Sequence, residues 1–176
     1  FCRLELRFFI IVLLPTGRST EVGSSATAFA TVINTGPGIA EGCSISPVTS
    51  VTAIFLYKTT NPATNALTGT PNTPVDIAEG AAQTFLFAFT PAASFAPTDI
   101  QLAFDCTNID PAPVTVGFNT FLLSASNTPV ADIVALSATP LNDGIVHIPD
   151  TGSPGAFAVA TVNLGASEMI TVTADA

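Results

Sequence analysis

The sequence predicts an all-β protein: an immunoglobulin-like antiparallel β-sandwich over residues 1–125, then a partial second β module over 126–176. Three observations carry this. Charged residues make up only 10% of the 176 residues and apolar residues 48%, against about a quarter charged in an average domain; the balance is Thr, Ser, Ala and Asn, punctuated by 14 Pro and 12 Gly. No segment keeps a 3.6-residue apolar period for three turns, whereas period-two patterns bounded by turn residues recur roughly every 8–15 residues. Finally, the stretch FATVINTG (Phe29 to Gly36) has an echo in VATVNLG (Val159 to Gly165).

Taken in order, the first strand falls at about residues 8–15, an apolar run closed by Pro15 and Gly17. ATAFATVIN alternates, with Ala28, Ala30 and Val32 on one face and Phe29, Thr31 and Ile33 on the other. CSIS stops before Pro47, and VTAIFLYKTT (51–60) is a longer strand. The tract Asn61 to Pro74 is too rich in Pro and Asn for a ladder and reads as a surface loop or hairpin tip. AAQTFLFAFTP sets Phe85, Phe87 and Phe89 in one line, and each contributes on the order of 2 kcal/mol or more if fully covered. TDIQLAFDCTN follows, with Ile100, Leu102, Phe104 and Cys106 on its core face. APVTVGFNTFLLSAS (112–126) completes the set as one bent strand or two. Seven or eight such strands describe an immunoglobulin-type sandwich. Because the chain has no Trp, its 13 Phe must fill the space between the sheets.

The tail then restarts. DIVALSATP, GAFAVATVNLG and SEMITVTADA read as strands, and Asn142-Asp143-Gly144 reads as a hairpin turn. The echo extends upstream, since Ile11 to Gly17 (IVLLPTG) aligns with Ile145 to Gly152 (IVHIPDTG). Two matches in the same order argue for one module used twice, with Asn34 and Gly36 answered by Asn163 and Gly165, although β-rich composition raises the chance background. On that reading the second copy lacks its later strands, and about fifty residues make a poor independent domain.

Among the three cysteines, Cys43 and Cys106 each lie in or beside a strand. They form a disulfide in an oxidising compartment or remain as buried free thiols; bridged, they contribute about 4 kcal/mol in the chain-entropy model. Cys2 is left over. Residues 1–15 carry Arg3 and Arg7 before an apolar run, which fits a signal remnant or a genuine first strand. The expectation is a chain cut at both ends.

Four basic residues against thirteen acidic ones cannot neutralise a phosphate track, so nucleic acid is not an expected partner. No run reaches the length of a spanning helix, so no membrane span is expected. No G-x-S-x-G elbow accompanies His147, which reads as an exposed strand histidine. Asp105, Asp110, Asp143, Asp150 and Glu168 are weighed as a calcium-stiffened joint but read better as local turn chemistry. No cofactor, metal site or catalytic residue is expected. Tyr57 is the one residue that suits a sugar-stacking platform in a carbohydrate-binding module.

The segments ATVINTGPGIAEGCSISP, VDIAEGAAQTFLFAFTP and TDIQLAFDC resemble the CARDB-type immunoglobulin-like modules of bacterial and archaeal surface proteins. Asn34 and Gly36, Glu79-Gly80, and Phe85, Phe87 and Phe89 carry the likeness, which covers about residues 11–125 and again 145–176. The cysteine pair departs from the common cysteine-free pattern. The resemblance implies a non-enzymatic structural or adhesive module of a secreted or cell-surface bacterial protein, whose partners are neighbouring tandem modules of the same polypeptide. A carbohydrate- or protein-binding sandwich, meeting surface glycans or proteins, is the alternative.

Overall fold

The computed structural model describes residues 9–141, 145–169 and 171. Two sheets pack face to face. The first contains β1 (Phe9–Leu14), β3 (Ala26–Asn34), β5 (Ala53–Thr60) and β7 (Ala82–Pro91), in the order β1-β3-β7-β5. The second contains β2 (Gly17–Glu21), β4 (Ala40–Pro47), β6 (Val75–Ile77), β8 (Phe95–Asp105) and β9 (Thr120–Ser126), in the order β2-β9-β8-β4-β6. This is the immunoglobulin arrangement, with β6 as a short additional edge. A separate pair, β10 (Ile133–Ala138) and β11 (Ala158–Asn163), is antiparallel. No helix among the described residues is long and apolar enough to cross a membrane.

The alternation in each strand sorts side chains between core and solvent. Ala26, Ala28, Ala30 and Val32 of β3 are buried, and small side chains there let the Phe row of β7 lie close. Register places Ala26 opposite Phe89, Ala28 opposite Phe87 and Ala30 opposite Phe85. Phe85, Phe87, Phe89 and Phe104 are all buried. The inter-sheet contact also needs Phe121 of β9, whose ring lies 5.2 Å from that of Phe87, edge to face, and 5.8 Å from that of Phe89, stacked. With no Trp available, this aromatic cluster fills the middle of the sandwich.

Three elements differ from the sequence expectation. Gly17–Glu21, to which the sequence reading assigned no strand, is strand β2 and pairs in parallel with β9, so the sandwich is not purely antiparallel. The chain passes from β1 to β2, and so from one sheet to the other, through a cis Leu14–Pro15 bond. Pro113–Asn119, expected as strand, forms turns, with Asn119 accepting from Thr115 N–H at 2.6 Å and donating to the Pro113 carbonyl at 2.9 Å. The segment 145–149 lies outside any strand. It follows β10 as β2 follows β1, and β2 takes its ladder from β9, a strand near the far end of the module. The described part of the tail contains no counterpart of β9.

Cys43 and Cys106 are joined by a disulfide across 63 residues. It lies within the second sheet rather than between sheets, because β4 and β8 are antiparallel neighbours with Ser44 opposite Asp105. Disulfides of this kind persist in oxidising compartments. The tract Asn61 to Pro74 is an exposed loop that folds back along the outer edge of β5. The Tyr57 N–H donates to the Asn72 side chain at 2.9 Å, and the Asn72 N–H returns a bond to the Tyr57 carbonyl at 2.8 Å. An otherwise open edge is thereby covered. Cys2, Asn142-Asp143-Gly144 and residues 172–176 lie outside the described residues.

Candidate functional site: the joint between the sandwich and the second strand pair

β9 ends at Ser126, and six residues later Asp132 stands immediately before β10. Asp132 is where the two parts are held together. Its carboxylate receives Arg18 Nε at 2.7 Å and lies 2.6 Å from Arg18 Nη2. The other oxygen accepts from the Ser19 N–H at 3.0 Å. Arg18 Nη1 donates to the Thr27 carbonyl at 2.7 Å. The ion pair is nearly closed to solvent, with side-chain exposures of 11% for Arg18 and 5% for Asp132. Lysine could not replace this arrangement, because a planar guanidinium serves a carboxylate and a carbonyl at once. The pairing compensates the cost of taking both charges out of water.

The backbone of Asp132 faces the other way, into the second pair. Its N–H donates to Asn163 Oδ1 at 3.0 Å, and its carbonyl accepts from the Leu164 N–H at 2.8 Å. Asn163 Oδ1 also accepts from the Gly165 N–H at 3.0 Å, and Asn163 Nδ2 donates to the Ala166 carbonyl at 2.7 Å. Gly165 is constrained by packing: a Cβ there would sit 2.2 Å from the Val130 carbonyl oxygen. One aspartate therefore ties β2 to the Asn163 turn. The sequence reading selected Asn163 and Gly165 but missed Arg18 and Asp132. An Arg in a short polar strand, 114 residues from its partner, gives no local signal.

Asn34 and Gly36 repeat the same turn within the sandwich, with Asn34 Oδ1 accepting from the Gly36 N–H at 3.0 Å. Asn34 is 0% exposed, and its Nδ2 donates to the Gly38 carbonyl at 2.9 Å and the Ile77 carbonyl at 3.0 Å. The two asparagines also share a register: Asn34 lies opposite Phe9, and Asn163 opposite Ile133. This register makes β10 the counterpart of β1, so Ile145 to Gly152 does not fill the place that the sequence alignment assigned to it.

A cleft of about 370 Å³ lies over the joint, lined by Leu14, Pro15, Arg18, Leu122, Asp132 and Val134 among others. The charged groups in it are already bonded to each other and to backbone. Tyr57 is 3% exposed, packed edge to face on Phe85 at 5.8 Å, so it offers no open ring face to a sugar. Burial raises its phenol above its ordinary value. His147 is exposed but outside any strand. Among the described residues no three His, Cys, Asp or Glu side chains gather as metal ligands.

No protein-family model and no curated protein matches the chain. One solved structure similar to part of it is a family 123 glycoside hydrolase from Clostridium perfringens, at 9% identity and a TM-score of 0.43. The match covers 67% of this chain and 27% of that one.

Proposed function

We propose that the chain is a non-enzymatic structural or adhesive element of a secreted or cell-surface bacterial protein, built from tandem immunoglobulin-like modules of the CARDB type. The observation that carries this reading is the Arg18–Asp132 clamp. A buried ion pair placed where one strand system hands over to the next fixes their relative geometry, which is what a spacer requires. The groups that a ligand site would use are spent on that task.

The strand arrangement supports the same role. β2 and β9 lie side by side and parallel, in register from Gly17–Leu122 to Glu21–Ser126. Tension applied across the sandwich therefore loads these bonds together in shear rather than opening them one by one. Pulling the full chain between two handles is expected to unfold the sandwich in one step, at a force well above that of an unzipped hairpin control. Stepwise opening at the control force would contradict the load-bearing role.

A protein-binding reading has one observation in its favour. The outer face of the first sheet carries Ile10, Val12, Leu14, Phe29, Ile54 and Leu56, all exposed, and apolar patches of this kind serve as contact surfaces. The carbohydrate reading loses its platform with the burial of Tyr57.

A further inference from the structure

The two sheets of the sandwich differ in charge. Among the described residues, the strands of the first sheet carry a single charge, Lys58 of β5, and no carboxylate. The strands of the second carry Glu21, Glu41, Asp76, Asp99 and Asp105. The whole chain has a net charge of −9, so two copies repel each other on most approaches. The outer face of the first sheet is the exception, and it is apolar as well as neutral: Ile10, Val12, Leu14 and Ile54 are each at least half exposed. Its relief follows from the register. Leu14, Phe29 and Leu86 stand level across three strands and make a row of large side chains. The next row on the same face is Val12, Thr31 and Thr84, all smaller.

We propose that this face is the contact between two copies of the chain, packed sheet on sheet about a two-fold axis that runs along the rows, between Phe29 and Thr31. That rotation lays the Phe29 row of each copy over the Thr31 row of the other, large against small, as the inner faces of a sandwich interdigitate. Four strands at about 4.8 Å spacing, over roughly eight residues at about 3.3 Å each, outline on the order of 500 Å² per copy. Two copies together cover about 1,000 Å², the lower bound for a specific pair, so the dimer is a weak one. An anionic membrane is a poorer occupant, because Lys58 is the single cation on these strands and lipid surfaces of that kind are held by clusters of basic residues. The inference gives the exposed face noted above a definite partner. It rests on that face and not on the Arg18–Asp132 clamp or the tandem array.

Sedimentation of the full chain between about 1 μM and about 1 mM tests the proposal. The expected mass rises from one chain to two, with a midpoint on the order of tens of micromolar. The midpoint should fall in about 0.5 M salt, where repulsion between the acidic remainders is screened; a rise would contradict an apolar contact. Phe29→Asp and Leu56→Asp each put a carboxylate on the face and should raise the midpoint about tenfold or more. Val48→Asp makes the same charge change at an exposed site outside the first sheet and should move it less than about twofold. Urea unfolding verifies that the variants are folded, and either face variant suffices. Thr31→Phe makes the face more apolar yet should weaken the pair, since it fills the row that receives Phe29; equal or tighter association would overturn the two-fold arrangement. A chain that stays monomeric to about 1 mM, face variants that associate like the unaltered chain, or a mass that climbs past two would overturn the dimer. A monomer that sediments with phosphatidylcholine vesicles would put a membrane on the face in place of a second copy. None of these readouts depends on the unfolding force of the sandwich, so failure here is distinct from failure of the mechanical role.

Discussion

The turn at Asn34 and the turn at Asn163 are built alike and used differently. Each asparagine ends a strand, stands opposite the first residue of an antiparallel neighbour (Phe9 of β1, Ile133 of β10) and accepts from the N–H two residues on. Asn34 is sealed in, and its amide reaches 43 residues away to the Ile77 carbonyl. Asn163 is half-buried, and its amide stays local, on Ala166, while its oxygen takes the backbone of Asp132. The first turn closes a sandwich; the second docks one strand system on another. The same local chemistry becomes core or joint according to which distant backbone is within reach.

The comparison breaks most severely at the disulfide, which only the sandwich has. Replacing Cys43 and Cys106 by Ala should lower the stability of the sandwich by about 4 kcal/mol, read from urea unfolding, and leave the β10–β11 exchange pattern as it was. Equal loss of protection in both regions would show that they unfold as one unit. Asn34→Ala comes next. It strands the buried Ile77 carbonyl and the Gly36 N–H, and should cost about 3 kcal/mol. Asn163→Ala removes bonds at a partly solvated site and should cost about 1 kcal/mol, confined to exchange at 130–166. Similar costs for the two substitutions would erase the distinction between core turn and joint turn.

The smallest effect is a pH dependence that belongs to the sandwich alone. Burial raises the Tyr57 phenol above its ordinary value of about 10, so the folded chain keeps a proton that the unfolded chain has lost. The corresponding stability is fully present below about pH 10 and declines as the pH rises past it. Tyr57→Phe should flatten that decline in pH-dependent denaturation; an unchanged slope would assign it elsewhere.

The sandwich was legible in the sequence because its signals are local and periodic. The Phe85, Phe87 and Phe89 line and the alternation of Ala28, Ala30 and Val32 announce both strand and face. Strand β2 was not legible, since Gly17–Glu21 is polar and short and exists through its parallel partner 105 residues away, as at Ser19 and Ser124. Phe121 was passed over because its role appears only when β9 is laid across from β7. At the joint, the turn residues Asn163 and Gly165 could be read from the echo, but the Arg18–Asp132 pair could not. Its meaning comes from the path of the chain, which brings two isolated charges together out of water. The alignment of Ile145 to Gly152 with the first strand failed because the place beside β11 that β1 holds beside β3 is taken by β10, a pairing that sequence likeness alone does not reveal.

A fixed joint is the central claim, and residual dipolar couplings test it most directly. Couplings from β1–β9 and from β10–β11 should fit a single alignment tensor in the chain as it stands, and should separate into two when Arg18→Ala leaves Asp132 unpaired. Two unrelated tensors in the unaltered chain would contradict the account, because the clamp would then hold nothing in place.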